Sequence, residues 1–257
     1  ENRQSAKELS ELGIPFDFAK PIGLIRYLIA LMPNTFNSII LDFFSGSSTT
    51  AHAVMQLNSE DGGNRKYIMV QLPEETPEDS EARKAGYDTI PEIAKERIRR
   101  AGKKIKEESP LTTQKLDTGF RVFRLADSNF EEVKKAPEEY DQSQLDLFLN
   151  NVKSDRTDLD LLFGAMLSWG VQLSLPMTSE EVDGKMIYSV NDGDLVACFA
   201  DDITENIVKA MADKQPLRVL FRDSCFARDD AKINVFETLK QLLDWSEEEA
   251  IKNIKVI

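Results

Sequence analysis

Two hydrophobic periods alternate along the first half of the chain. Leu24, Ile25, Leu28, Ile29 and Met32 recur at spacings of three and four, which predicts an amphipathic helix that stops before Pro33-Asn34. Pro21 suits the first turn of that helix. Ile39, Ile40 and Leu41 follow as a short β-branched-rich run, the pattern of a strand buried on both faces. Small residues fill positions 45–48, and Thr49-Thr50 precede Ala51, Val54 and Met55 at helical spacing. Turn residues from Asn58 to Arg65 separate this helix from a second strand, Lys66 to Glu74. Ile90, Ile93, Ala94, Ile98, Ala101 and Ile105 predict a further amphipathic helix, with Lys95, Arg97, Arg99, Arg100, Lys103, Lys104 and Lys106 on its other face. Thr118 to Leu125 alternate with period two and predict a third strand. Residues 1–13 are polar, a short helix or a frayed arm, and the acidic stretch 74–86 is expected to be a loop.

The pattern then changes. Residues 131–144 are highly charged and contain Pro137, which marks a boundary between residues 1–130 and 131–257. Beyond it, Leu145, Leu147 and Phe148, then Leu159, Leu161, Leu162, Ala165, Met166 and Trp169, suggest two helices. Strands are expected over 171–176, after an Asp183-Gly184 turn to Val190, over 195–199, over 217–221 and at 254–257. Helices are expected over 204–213 and 229–243. The fold class that follows is α/β: a partial Rossmann-like sheet, followed by a smaller α+β domain with its own core.

A strand, a small-residue turn and a helix start in succession suit cofactor binding, because little side chain blocks the backbone and unpaired N–H groups face the ligand. The wording of the turn is more specific. Asp42-Phe43-Phe44-Ser45-Gly46-Ser47-Ser48-Thr49-Thr50 resembles the D-x-F-x-G-x-G-T-T motif of β-class amino-group DNA methyltransferases, and most narrowly the modification subunit of type III restriction-modification systems. Ser48 stands where that motif has its second glycine. The resemblance implies a Rossmann-like methyltransferase sheet and S-adenosylmethionine as cofactor, held by Asp42, Phe44, Ser45, Gly46, Ser48, Thr49 and Thr50. In the family, a Phe…Lys-Pro segment lines the methionine end of the cofactor, which puts Lys20 and Pro21 there, with Lys20 near the cofactor carboxylate. It puts Gln71, at the end of the second strand, on the ribose hydroxyls where an acid is usual; Glu74 is the alternative. Phe221-Arg222-Asp223-Ser224-Cys225-Phe226 also resembles the C-terminal part of type III modification subunits. The resemblance is strongest over 14–106 and 182–235.

Composition narrows this. The chain has 257 residues, with 32 basic against 45 acidic residues and a net charge of −13. Phosphate contacts supply much of DNA affinity, so this balance argues against the chain being the part that grips DNA. No apolar run approaches 18 residues. Cys198 and Cys225 lack C-x-x-C spacing and fit reduced thiols of a cytoplasmic protein. His52 is the sole histidine, which argues against a His-based metal site or triad and suits packing or exposure. Asp223-Ser224-Cys225 with Arg228 invites a nucleophile reading, but no histidine is there to act as base; polar residues closing a strand are the better account. The basic helix likewise fits a solvated face better than a DNA contact.

Methyl transfer to adenine N6 needs acceptors for its N–H groups and a site for the base outside the duplex. The family uses a D-P-P-Y segment, and this chain has no Pro-Pro pair. With no initiator Met at Glu1, the expectation is a C-terminal portion of a longer adenine-N6 methyltransferase, lacking the catalytic and target-recognition segments and inactive alone. Implied partners are DNA in the full-length protein, a second modification subunit and the restriction subunit. Two other readings stand: an interaction module acting through residues 145–257, or another Rossmann-like methyltransferase. A dehydrogenase is disfavoured, since no G-x-G-x-x-G is present.

Overall fold

The structure, a computed structural model, describes residues 2–131, 151–226 and 229–257. The chain divides into two compact units, Glu1–Phe120 and Arg121–Ile257. Both mix helix and strand. The boundary expected within 131–144 and the helix expected near Leu145–Phe148 lie outside the described residues, Glu131 apart. Among the described residues no helix is long and apolar enough to cross a membrane.

The first unit runs α1 (Asn2–Glu11), α2 (Ile22–Ala30), β1 (Ile39–Asp42), α3 (Thr49–Asp61), β2 (Lys66–Met69), α4 (Glu81–Lys84) and α5 (Ile90–Glu108). β1 and β2 are parallel, with Leu41 opposite Ile68 and Asp42 opposite Met69. α3 connects them, as a parallel pair requires a crossover. Its first two turns are buried all round, from Thr49 to Met55. Gly62 ends it in the left-handed conformation (φ +70) that a glycine adopts without a Cβ clash. Beyond that end, Arg65 forks onto Asp61 at 2.9 and 2.7 Å while Asn58 brackets the Arg65 backbone, so the turn into β2 is tied at both sides. Leu9, Leu12, Ala51, Met55, Ile93, Ile98, Ala101 and Ile105 form the core, with Tyr67 and Met69 packed on it. The N-terminal segment is therefore a core helix and not a frayed arm.

Three sequence expectations change here. β1 is buried on one face only: Ile39, Leu41, Phe43, Ile68, Val70 and Leu72 stand 48–63% exposed on the opposite side. The helices cover just the face carrying Tyr67 and Met69. Second, no strand forms over 118–125. Its apolar side chains are divided, since Phe120 packs on the first unit's core and Phe123 meets Phe163 edge-on at 5.0 Å in the second. Third, the stretch 74–86 is not all loop, because Ser80 accepts from the Arg83 N–H and caps the short helix α4.

The second unit contains α6 (Asp158–Ser168), β3 (Met177–Val182), β4 (Lys185–Val190), β5 (Leu195–Cys198), α7 (Glu205–Ala212), β6 (Val219–Phe221), α8 (Asp229–Leu242), α9 (Glu247–Asn253) and β7 (Ile254–Val256). Its five-stranded sheet is mixed, in the order β3-β4-β5-β6-β7, antiparallel through β5 and parallel from β5 to β7. Asp183 and Gly184 both take positive φ (53° and 75°), which is the two-residue turn a twisted hairpin needs. Two apolar clusters lie against the sheet, one with α7 and α8, one with α6. The strand expected at 171–176 is absent. There the carbonyls of Leu173 and Leu175 accept from the Arg121 guanidinium instead of a neighbouring strand, and pairing starts at Met177 after Pro176. α9 went unanticipated, although Ser246 and Glu249 form the capping box that starts it.

Candidate cofactor site

The site grows from the end of β1. Asp42 sits there half-buried, and its carboxylate accepts from the Thr50 hydroxyl at 2.6 Å and from the Phe44 N–H at 3.2 Å. Both oxygens therefore clasp the turn onto the first residues of α3. The turn bends through two left-handed residues, Gly46 at φ +51 and Ser48 at φ +59. Glycine takes that conformation freely, whereas serine pays roughly 1–2 kcal/mol in steric strain. The Ser48 N–H returns to the Ser45 carbonyl at 2.7 Å, and the Ser45 N–H donates to the carbonyl of Val70, the residue after β2, at 3.2 Å.

The other expected residues converge on the same turn. Gly46 N–H donates to Gln71 Oε1 at 2.8 Å, and Gln71 Nε2 donates to Glu74 Oε1 at 3.4 Å. The Gln71 carbonyl is thus committed to the turn backbone. Thr49 Oγ1 donates to the Lys20 carbonyl at 3.2 Å, which brings the Lys20-Pro21 segment alongside. Pro21 is buried as the N-cap of α2, and Lys20 is exposed. Phe44 projects into solvent, 81% exposed, with its ring 5.1 Å from that of Phe43.

Two participants were not among the expected site residues, Ser47 and Arg97. Arg97 lies wholly buried under the turn and donates through Nη1 to Ser47 Oγ at 2.8 Å and Thr49 Oγ1 at 2.7 Å. Sequence reasoning put it on the solvated face of α5 with the other basic residues. Its position four residues from both Ile93 and Ala101 is the signal that placed it on the buried face. The remaining cations do face solvent, where Lys95, Arg99, Arg100, Lys103 and Lys104 pair with acids on α5 and with Glu11.

Four features of the turn bear on what it could hold. A Cβ built on Gly46 meets nothing within 4 Å, so open space lies over that backbone. The Ser45 hydroxyl is buried without a hydrogen-bond partner. Ser48 makes no capping hydrogen bond, which leaves the first-turn amides of α3 to another acceptor. The exposed Phe44 ring offers a flat apolar surface. Elsewhere the chemistry is quiet: among the described residues no acid, histidine and cysteine group could hold a metal ion. Cys225 is buried with its thiol pushed up to about 11 by that burial, and Asp223 pairs with Lys232 at 2.6 Å. Neither is an activated nucleophile.

His52, in the second turn of α3, is buried and held down to about 3, first by desolvation and then by the charges of Arg97 and Lys104. Glu8, Glu11, Arg26, Lys104 and Glu108 line the same hollow of about 280 Å³. The unfolded chain protonates this histidine near 6.5. Between that pH and about 3 the unfolded state binds more protons, so acidification destabilises the fold by up to about 1.4 kcal/mol per pH unit from this group. His52→Gln should flatten that dependence, as read from urea midpoints at pH 7.5, 5.5 and 4.5. Identical slopes in the two proteins would mean that His52 charges freely in the folded state.

A strand, a turn and a helix start thus meet at one place, and residues 2–101, which contain them, match the family model described as DNA methylase. That part of the chain is similar to DNA methylases. Among curated proteins, the chain is 42% identical over 127 residues to the modification subunit of the type III restriction-modification enzyme StyLTI of Salmonella typhimurium, covering 49% of this chain and 19% of that one. It is 38% identical over 160 residues to the EcoP15I modification subunit of Escherichia coli (55% and 23%), and 33% identical over 204 residues to the EcoPI modification subunit of Escherichia phage P1 (77% and 29%). The chain is similar to type III modification subunits, and its matches span between 19% and 29% of their length.

Proposed function

We propose that this chain carries the cofactor half of an adenine-N6 DNA methyltransferase of the type III modification kind. The carrying observation is the pair of left-handed residues, Gly46 and Ser48, set between a parallel strand and an uncapped helix start. In this reading residues 1–130 are the cofactor-binding part of a Rossmann-like domain and residues 131–257 an attached α+β domain. S-adenosylmethionine, when bound, supplies the electrophilic methyl group. Gly46 leaves room for it, Asp42 and Thr50 hold the turn in shape, and the first amides of α3 receive its carboxylate together with Lys20. Phe44 stacks on a flat ring. Gln71 and Glu74 lie at the ribose, where Gln71 must share its carbonyl or release Gly46.

The acceptors for the adenine amino group come from elsewhere. No Pro-Pro pair is present, and the apolar face of β1 and β2 stays bare although parallel sheets are normally covered on both sides. Polypeptide bearing the rest of the methylase domain would cover that face and bring the target-reading part. DNA, a second modification subunit and the restriction subunit are the partners of that complete assembly.

Calorimetric titration with S-adenosylmethionine, run beside a labelled-methyl transfer assay on DNA, tests both halves of this reading. Micromolar binding without turnover is the expected result. Turnover by the purified chain would overturn the division into cofactor and catalytic halves, and absence of binding by folded protein would remove the cofactor assignment.

A further inference from the structure

We propose that Arg97 is the positioning residue of the turn, and that it is there to hold Ser48 in its left-handed conformation. The geometry is specific. One guanidinium nitrogen, Nη1, reaches the hydroxyls of Ser47 and Thr49, the two neighbours of Ser48 in the chain. Ser48 itself sits at φ +59, where a residue with a Cβ is strained. Arg97 therefore holds the side chains on both sides of the strained position. Thr49 passes the grip on, since its hydroxyl also donates to the Lys20 carbonyl. A single side chain from α5 thus couples the turn to the Lys20-Pro21 segment, across sequence separations of 50, 48 and 29 residues.

Stability alone is a poor account of an arginine at this place. It is fully buried and forms no ion pair among the described residues, and its Nε and Nη2 have no partner. Burying a cation this way is costly, and an apolar side chain of similar length fills the same space without the desolvation. What an apolar side chain cannot do is hold two hydroxyls at a fixed separation. The need for it follows from the sequence of the turn: with glycine at position 48 the left-handed bend would form freely, and with serine it must be held.

The functional side of this inference rests on the cofactor reading, whereas its structural side does not, so the experiment reads the two separately. Amide hydrogen exchange over residues 45–51 and S-adenosylmethionine affinity are measured for the wild type, Arg97→Met, Ser48→Gly and the double variant. Arg97→Met should speed exchange in 45–51 at least tenfold more than in α5 and weaken binding roughly tenfold, about the loss of one hydrogen bond to a charged group. In the Ser48→Gly background the same substitution should do little to either readout. Equal effects of Arg97→Met in the wild type and in the Ser48→Gly background overturn the proposal, as does a loss of global stability with unchanged local exchange at the turn. If Arg97→Met does not fold, Thr49→Val and Ser47→Ala remove the two acceptors while leaving the arginine, and the same rescue by Ser48→Gly is required. If the wild type binds no cofactor, the cofactor reading fails and the exchange comparison still decides the role of Arg97.

Discussion

Gly46→Val is expected to eliminate measurable S-adenosylmethionine binding, raising Kd by at least about a hundredfold, while the chain stays folded. Two effects act together. At φ +51 a β-branched residue is strained, a penalty of roughly 1–3 kcal/mol that the turn absorbs by shifting. The shift carries the Gly46 N–H away from Gln71 Oε1 and disturbs the hydrogen bonds of Ser45 and Ser48. In addition, the side chain enters the open space over the Gly46 backbone, where no protein atom lies within 4 Å of a Cβ. In the folded protein alone that space costs nothing to fill; with a ligand there it becomes a clash. Gly46→Asn separates the contributions, because asparagine tolerates the left-handed conformation but still presents a side chain. It should keep wild-type stability and bind weakly. Full-strength binding by the valine variant, measured calorimetrically, would place the cofactor somewhere other than this turn.

Phe221→Ala is expected to destabilise the second unit by about 3–5 kcal/mol, the range for truncating a fully buried phenylalanine. Phe221 ends the parallel strand β6, is fully buried and meets Phe226 edge-on at 5.4 Å within the cluster formed by α7, α8 and the sheet. Both tryptophans, Trp169 and Trp245, lie in this unit, so their fluorescence reports its unfolding alone. The first unit has its own core on α1, α3 and α5. Tryptophan emission should therefore unfold at much lower denaturant in the variant, while amide protection in α3 is retained at the wild-type midpoint. Loss of both signals at one lowered midpoint would show that the two compact units unfold as one.

The readable parts of the candidate site were those whose chemistry is local. Asp42 and Thr50 are eight residues apart on a strand, a turn and a helix start, and their pairing follows once that turn closes. The left-handed bend was announced by Gly46 and by small neighbours. The Asp183-Gly184 hairpin followed from turn chemistry in the same way. Arg97 shows where such reading stops. In a run of basic residues its charge pointed to solvent, and only its spacing with Ile93 and Ala101 pointed inward.

The sequence by itself determined the elements that local periodicity and turn residues encode: α2, β1, α3, β2 and α5, most of the second unit's strands, and the small-residue turn between β1 and α3. Tertiary structure alone decided three other matters. It put Arg97 beneath the turn, committed the Gln71 carbonyl to Gly46, and left one face of β1 and β2 bare. It also denied strands to 118–125 and 171–176, whose patterns suit a strand but whose groups found other partners in Phe163 and Arg121. The physical reason is the same throughout. Helical turns and tight bends close their hydrogen bonds within a few residues, whereas a strand, a buried cation or a covered face exists only if a distant segment supplies the partner.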